Sequence, residues 1–69
     1  MELHPVKSSN IKAVGYDHDT HRMAVQFHSG KKYVYADVPP VVYAGFLGAK
    51  SMGIFFTRNV RGKYGTEKL

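Results

Sequence analysis

Two alternating runs of residues on either side of Ser29-Gly30 constrain the fold more than any other part of the chain. Residues 21–28 alternate between apolar and polar side chains, which is typical of a strand with one buried face. Residues 31–38 contain two tyrosines two positions apart, which point to the same face of a strand. Gly30 tolerates the positive φ that a tight turn needs. The sequence therefore predicts an antiparallel hairpin.

The loop length of this hairpin decides where Tyr33 and Tyr35 lie. A two-residue turn places both tyrosines on the polar face of the sheet, as an aromatic platform able to stack RNA bases. A three-residue loop of residues 28–30 instead pairs Val25 with Tyr33 and Met23 with Tyr35, on the apolar face. A shift of one residue moves every side chain to the other face. Gly30 at the third loop position favours the longer loop and tyrosines that are largely core.

The remaining patterns predict an α+β fold. Residues 11–16 form a first strand, with Ile11 and Ala13 on one side and Val14 and Tyr16 on the other. Val38-Pro39-Pro40 ends the third strand, and a helix over residues 41–49 follows. Ser51 is a candidate N-cap for a second helix over residues 52–60, with a strand over 54–57 as the alternative. We expect one domain over residues 1–69: a three-stranded antiparallel meander followed by one or two helices packed on one face.

The charge balance favours a polyanionic partner. Ten Lys and Arg against five Asp and Glu give a net charge of +5, and +4 of this lies within residues 50–69. Basic domains attract RNA, DNA or acidic protein surfaces. Arg58 and Arg61 would share a helix face, since they are three residues apart. The candidate nucleic-acid-binding residues are Lys31, Lys32, Tyr33, Tyr35, Arg58, Arg61, Lys63 and Tyr64.

Other function classes find little support in the sequence. No serine lies on a nucleophile elbow, and the glycines match no phosphate-loop fingerprint, so we expect no enzyme and no cofactor. His18 and His21 lie among aspartates in a polar turn, but they lack the helix context and the third ligand of a catalytic zinc site. No apolar run approaches the ~20 residues of a membrane span. The lack of cysteine and of a signal-peptide pattern predicts a cytoplasmic protein.

A longer motif carries a family resemblance. It runs through Ser8-Ser9-Asn10-Ile11, the Tyr33-x-Tyr35 segment with Val38-Pro39 after it, Ser51-x-Gly53-x-Phe55-Phe56, and Val60-Arg61-Gly62-Lys63-Tyr64. Over about residues 6–64 the chain resembles the KTSC domain, which is named for its place at the C-terminus of some lysyl-tRNA synthetases. The resemblance implies RNA binding by association with the synthetase, and it implies no catalytic residue. Tyr33 and Tyr35 correspond to the Y-x-Y of the family.

Charge and resemblance together predict a small non-catalytic binding module for RNA or another polyanion. The alternative is a module for protein–protein interaction or homo-oligomeric assembly. Such a module would use an exposed edge of the sheet or the apolar stripe along the predicted helices.

Overall fold

A computed structural model describes residues 1–68. Its five strands form one antiparallel sheet in the order β1-β2-β3-β4-β5, so each strand pairs with its neighbours in sequence. The strands are β1 (His4–Pro5), β2 (Ile11–Asp17), β3 (Arg22–Phe27), β4 (Lys32–Tyr35) and β5 (Thr66–Lys68). Two helices, α1 (Pro40–Gly48) and α2 (Met52–Asn59), lie between β4 and β5. The α+β class and the meander followed by helices are confirmed, but the sheet has two short edge strands beyond the three predicted.

The hairpin between β3 and β4 has the three-residue loop. Val25 pairs with Tyr33 and Met23 pairs with Tyr35, while the Phe27 amide donates to the Lys31 carbonyl at 2.9 Å. Gly30 closes the loop with a φ of 95°. The tyrosines therefore lie on the apolar face, and the alternative of an open aromatic platform is wrong.

Strand β2 departs from strict alternation. The register against β3 shifts between Ile11 and Ala13, which marks a β-bulge. The bulge turns both Ile11 and Val14 into the core, where each is fully buried. The prediction that these two residues lie on opposite sides of the strand was wrong, because the extra residue resets the two-residue period.

The two helices cover one face of the sheet. Helix α1 begins at Pro40, whose fixed φ suits a first turn, and it buries Phe46 completely. Helix α2 has Ser51 as its N-cap, since the Ser51 hydroxyl accepts a bond from the Ile54 amide at 3.3 Å. The strand alternative for residues 54–57 is therefore wrong.

A single apolar core joins the helices to the sheet. Phe56 packs edge-to-face on Tyr35, with ring centroids 5.5 Å apart, and it also lies near Phe46 at 6.3 Å. Gly45 lets the helices approach each other, because a Cβ there would lie 3.2 Å from the ring of Phe55. The close approach at this glycine is thus made by the second helix and not by the sheet. The core residues are Ile11, Val14, Met23, Val25, Tyr35, Val38, Phe46, Met52, Phe56 and Val60.

Candidate nucleic-acid interface

A cleft of about 610 Å³ opens between the β3–β4 hairpin and the end of α2. Such a volume is within the range of pockets that hold small ligands. The bulged start of β2 and the turn before it close one side of the cleft, and the segment after α2 closes the other. The lining residues are Ser9, Asn10, Ile11, Phe27, His28, Ser29, Lys31, Tyr33, Tyr35, Gly53, Phe56, Thr57, Arg61, Gly62 and Thr66.

The floor of the cleft is aromatic. Tyr35 and Phe56 are 4% and 7% exposed, and Phe27 and Tyr33 are half-buried beside them. The rings meet edge-to-face, with centroids 5.4 Å apart for Phe27 and Phe56 and 6.0 Å apart for Phe27 and Tyr33. These contacts hold the rings in fixed orientations, because edge-to-face pairs are the preferred arrangement of packed aromatic side chains.

The rim of the cleft is basic. Lys31 and Arg61 both line the cleft and are exposed, and none of the lining residues within the described part of the chain carries a carboxylate. Within residues 1–68 the one ion pair joins Arg22 to Glu67 at 3.0 Å, away from these cations. The charges of Lys31 and Arg61 are therefore available to an anionic ligand.

Burial alters the acidity of Tyr35. Desolvation raises the pKa of its hydroxyl, the nearby Tyr33 raises it further, and the Arg61 charge opposes both effects. The net direction is upward, so the hydroxyl is neutral at physiological pH and can both donate and accept a hydrogen bond.

The turn before β2 is fastened to the hairpin loop. The Ser8 hydroxyl accepts bonds from the Asn10 and Ile11 amides at 3.3 Å. His28 then holds this turn from the other side: its Nε2 lies 2.9 Å from the Ser8 carbonyl, and its amide donates to the Asn10 carbonyl at 3.0 Å. Ser9 and Asn10 thereby become cleft walls. The sequence analysis named this segment only as part of the family motif and missed its part in the site.

The structure brings half of the predicted binding residues together. Lys31, Tyr33, Tyr35 and Arg61 line the cleft, whereas Lys32, Arg58, Lys63 and Tyr64 do not. Lys32 precedes Tyr33 on β4, so its side chain points to the other face of the sheet. Tyr64 packs half-buried against the core.

Arg58 and Arg61 do not share a helix face. Helix α2 ends at Asn59, and Arg61 lies beyond it in a turn where the Arg61 amide donates to the Phe56 carbonyl at 2.9 Å. Gly62, with a φ of 74°, redirects the chain there. Arg58 instead lines an adjoining depression, which shares Ser9, Asn10, Gly53 and Thr57 with the cleft.

The polar turn after β2 is a closed local structure. The Asp17 carboxylate accepts bonds from the Asp19 and Thr20 amides at 2.9 and 3.4 Å. These bonds, chiefly that from Asp19, lower the pKa of Asp17. Over residues 1–68, no three His, Asp or Glu side chains are grouped as metal ligands would be.

Comparison with known proteins identifies the family. The KTSC domain profile matches residues 7–64. The chain belongs to the KTSC domain family. A crystal structure of a KTSC domain protein from Yersinia pestis superimposes with a TM-score of 0.96 at 35% identity, covering 99% of this chain and 96% of that one.

Curated relatives of this KTSC domain fall into two kinds. A protein of Tsukamurella paurometabola is 39% identical over 62 residues, which are 90% of this chain and 92% of that protein. A lysine–tRNA ligase of Nostoc punctiforme is 35% identical over 63 residues, which are 91% of this chain but 11% of the ligase. The domain thus resembles both a protein of similar length and a small part of a large enzyme. In the part of this chain that the structure describes, no helix is long and apolar enough to cross a bilayer.

Proposed function

We propose that this KTSC domain is a non-catalytic module that binds single-stranded RNA in the cleft. The observation that carries the proposal is the combination of an aromatic floor with a rim of two unneutralised cations, Lys31 and Arg61. Single-stranded RNA is recognised through unstacked bases on aromatic rings and through phosphates on Lys and Arg.

Two further observations support RNA over other polyanions. The similar segment in the Nostoc punctiforme relative belongs to a lysine–tRNA ligase, whose name states tRNA as its substrate. The cleft also presents Ser9, Asn10, Thr57 and Thr66, whose hydroxyl and amide groups can bond to ribose and base edges.

The chemistry of the cleft supports binding rather than catalysis. No carboxylate from residues 1–68 lines it, and the Nε2 of His28 is bonded to the Ser8 carbonyl. The lining therefore offers hydroxyl groups but no acidic side chain to act as a general acid or base. A cytoplasmic location belongs to the same proposal, and it accords with the cysteine-free composition.

Fluorescence anisotropy with labelled single-stranded RNA and tRNA, over a series of salt concentrations, tests the proposal. We expect binding at low salt that weakens as salt rises. The Lys31→Gln and Arg61→Gln variants should each flatten the salt dependence by roughly 0.7 in log–log slope, because each loses one phosphate contact. Lys12→Gln is the matched control, since exposed Lys12 lies outside the cleft lining and should leave the slope unchanged. An absence of binding to both RNAs at low salt would refute the proposal.

Self-association with a second copy of the chain is the second candidate. Val41 on α1 and Ile54 on α2 are 75% and 57% exposed, and β1 and β5 are the outer strands of the sheet. Sedimentation velocity over a range of protein concentrations would show a dimer if this candidate holds. A monomer at every concentration would contradict it.

A further inference from the structure

Within residues 1–68, the Tyr35 hydroxyl has no hydrogen-bond partner in the protein. The Tyr35 side chain is 4% exposed and lines the cleft. Of the tyrosine hydroxyls in residues 1–68, that of Tyr16 alone has a hydrogen-bond partner, the Val38 carbonyl. No buried polar side-chain atom in that range lacks both a partner and access to solvent, so the Tyr35 hydroxyl keeps some contact with solvent, and Tyr35 lines the cleft. Hydroxyls in such deep positions usually have a partner.

The surroundings of this hydroxyl match a flat aromatic ligand with a polar edge. Phe56 and Ile11 make the floor around Tyr35 apolar, and the half-buried rings of Phe27 and Tyr33 stand beside it. The cations Lys31 and Arg61 are exposed at the rim of the same cleft. A nucleobase has this combination of a flat apolar face and a hydrogen-bonding edge, and its charge is carried separately on phosphates.

We propose that the cleft takes one unstacked base of the RNA strand, with the Tyr35 hydroxyl bonded to the edge of that base. The phosphates on either side of the base lie at the rim, against Lys31 and Arg61. This inference rests on the proposed RNA-binding function and adds to it a single-base pocket and a residue that reads the base.

The adjoining depression gives the strand a path out of the pocket. It shares the walls made by Ser9, Asn10, Gly53 and Thr57, and it ends at Arg58. The two adjoining depressions thus hold three cations, Lys31 and Arg61 in the cleft and Arg58 in the second depression. A groove with cations along its length suits a polynucleotide backbone better than a single nucleotide.

Removal of the Tyr35 hydroxyl tests its role. We expect Tyr35→Phe to bind RNA octamers of uridylate, adenylate or cytidylate about three- to tenfold more weakly for at least one base, since one hydrogen bond is lost. The salt dependence should not change, because no phosphate contact is lost. Tyr43→Phe is the matched control: Tyr43 is half-buried and lies outside the cleft, so this variant should bind as the unaltered protein does.

An octamer that lacks all its bases separates base insertion from charge attraction. It has the same phosphates, so the unaltered protein should bind it about tenfold or more weakly than the best normal octamer. Tyr35→Phe should bind the abasic octamer as the unaltered protein does. The comparison of normal and abasic octamers uses only the unaltered protein, so it remains valid even if Tyr35→Phe is less stable.

The outcomes distinguish the two proposals. If the unaltered protein binds RNA but binds normal and abasic octamers equally, the base pocket is refuted and the RNA-binding function stands. If Tyr35→Phe is folded and matches the unaltered protein on all three octamers, the assignment of Tyr35 is refuted. If no RNA binds at low salt, the proposed function is refuted, and the base pocket with it.

Discussion

Gly15 allows the N-terminal segment to lie against the back of the sheet. A Cβ at this position would lie 2.3 Å from the Glu2 carbonyl oxygen and 3.2 Å from the Leu3 side chain. A backbone oxygen cannot move aside as the end of a flexible side chain can. Position 15 therefore needs a glycine because the N-terminal backbone lies too close to leave room for a Cβ, and not because of its φ angle.

Replacing Gly15 with alanine should displace the N-terminal segment. We expect Gly15→Ala to lower the free energy of unfolding by about 1–3 kcal/mol, as overpacking of a close contact does. Urea denaturation measures this change. Gly48→Ala is the control: it has open space around the added methyl group, and it should be neutral or stabilise the helix by up to about 1 kcal/mol. Equal stability of Gly15→Ala and the unaltered protein would contradict the expectation.

The β3–β4 hairpin sets the face on which the cleft aromatics lie. Its loop needs a residue at positive φ, and Gly30 supplies it at 95°. Any other residue strains the loop, although Gly30 itself has no neighbour within 4 Å of a Cβ. The cost of substitution is thus one of backbone conformation, separate from packing.

Alanine at position 30 should weaken this hairpin without filling any space. We expect Gly30→Ala to lower the free energy of unfolding by about 1–2 kcal/mol, the cost of a left-handed conformation for a residue with a Cβ. Ser29→Ala, next to it in the loop, should have little effect, because Ser29 is exposed and makes no side-chain hydrogen bond in the described part of the chain. Thermal and urea unfolding of the two variants compare these costs. If the two variants have the same stability, the loop does not depend on Gly30.

The hairpin and both helices were predictable because their signals are local. Gly30 selects the loop and Ser51 caps α2, and each acts within a few residues. The bulge in β2 was not predictable, since it depends on how Ile11 and Ala13 meet a neighbouring strand.

The two edge strands have no sequence pattern that would predict them. Strand β1 has two residues and β5 has three, and every one of these is exposed. They become strands only because β2 and β4 offer backbone partners. The cleft also depends on tertiary structure. The contacts with His28 place Asn10 in its wall, and the turn after α2 places Arg61 there.

Tyrosine burial links the stability of the whole domain to alkaline pH. Desolvation raises the pKa of both Tyr35 and Tyr43 above the ordinary value of 10.0. A group whose pKa is raised by folding contributes stability that is full below its unfolded pKa and is lost as pH rises through its folded pKa. Ionisation of these tyrosines therefore favours the unfolded chain.

We expect the free energy of unfolding to fall as pH rises above about 10, the ordinary tyrosine pKa. Urea denaturation at a series of pH values from neutral to strongly alkaline measures the fall. Tyr35→Phe and Tyr43→Phe should each make it shallower, since each removes one ionising group. Because lysines also titrate in this range, the difference between variant and unaltered protein is the informative quantity. A fall of equal steepness in all three proteins would exclude an origin in Tyr35 and Tyr43.

The position of β5 after both helices has a consequence for synthesis on the ribosome. Proteins emerge N-terminus first, and early segments can fold before later ones exist. Strands β1 to β4 and both helices precede Thr66, so β4 keeps an unpaired edge until the residues of β5 have left the ribosome. Arg61, Gly62 and Thr66 are also the last walls of the cleft to be made. A nascent chain thus completes the cleft and pairs the exposed edge of β4 at the same late stage in the emergence of this domain.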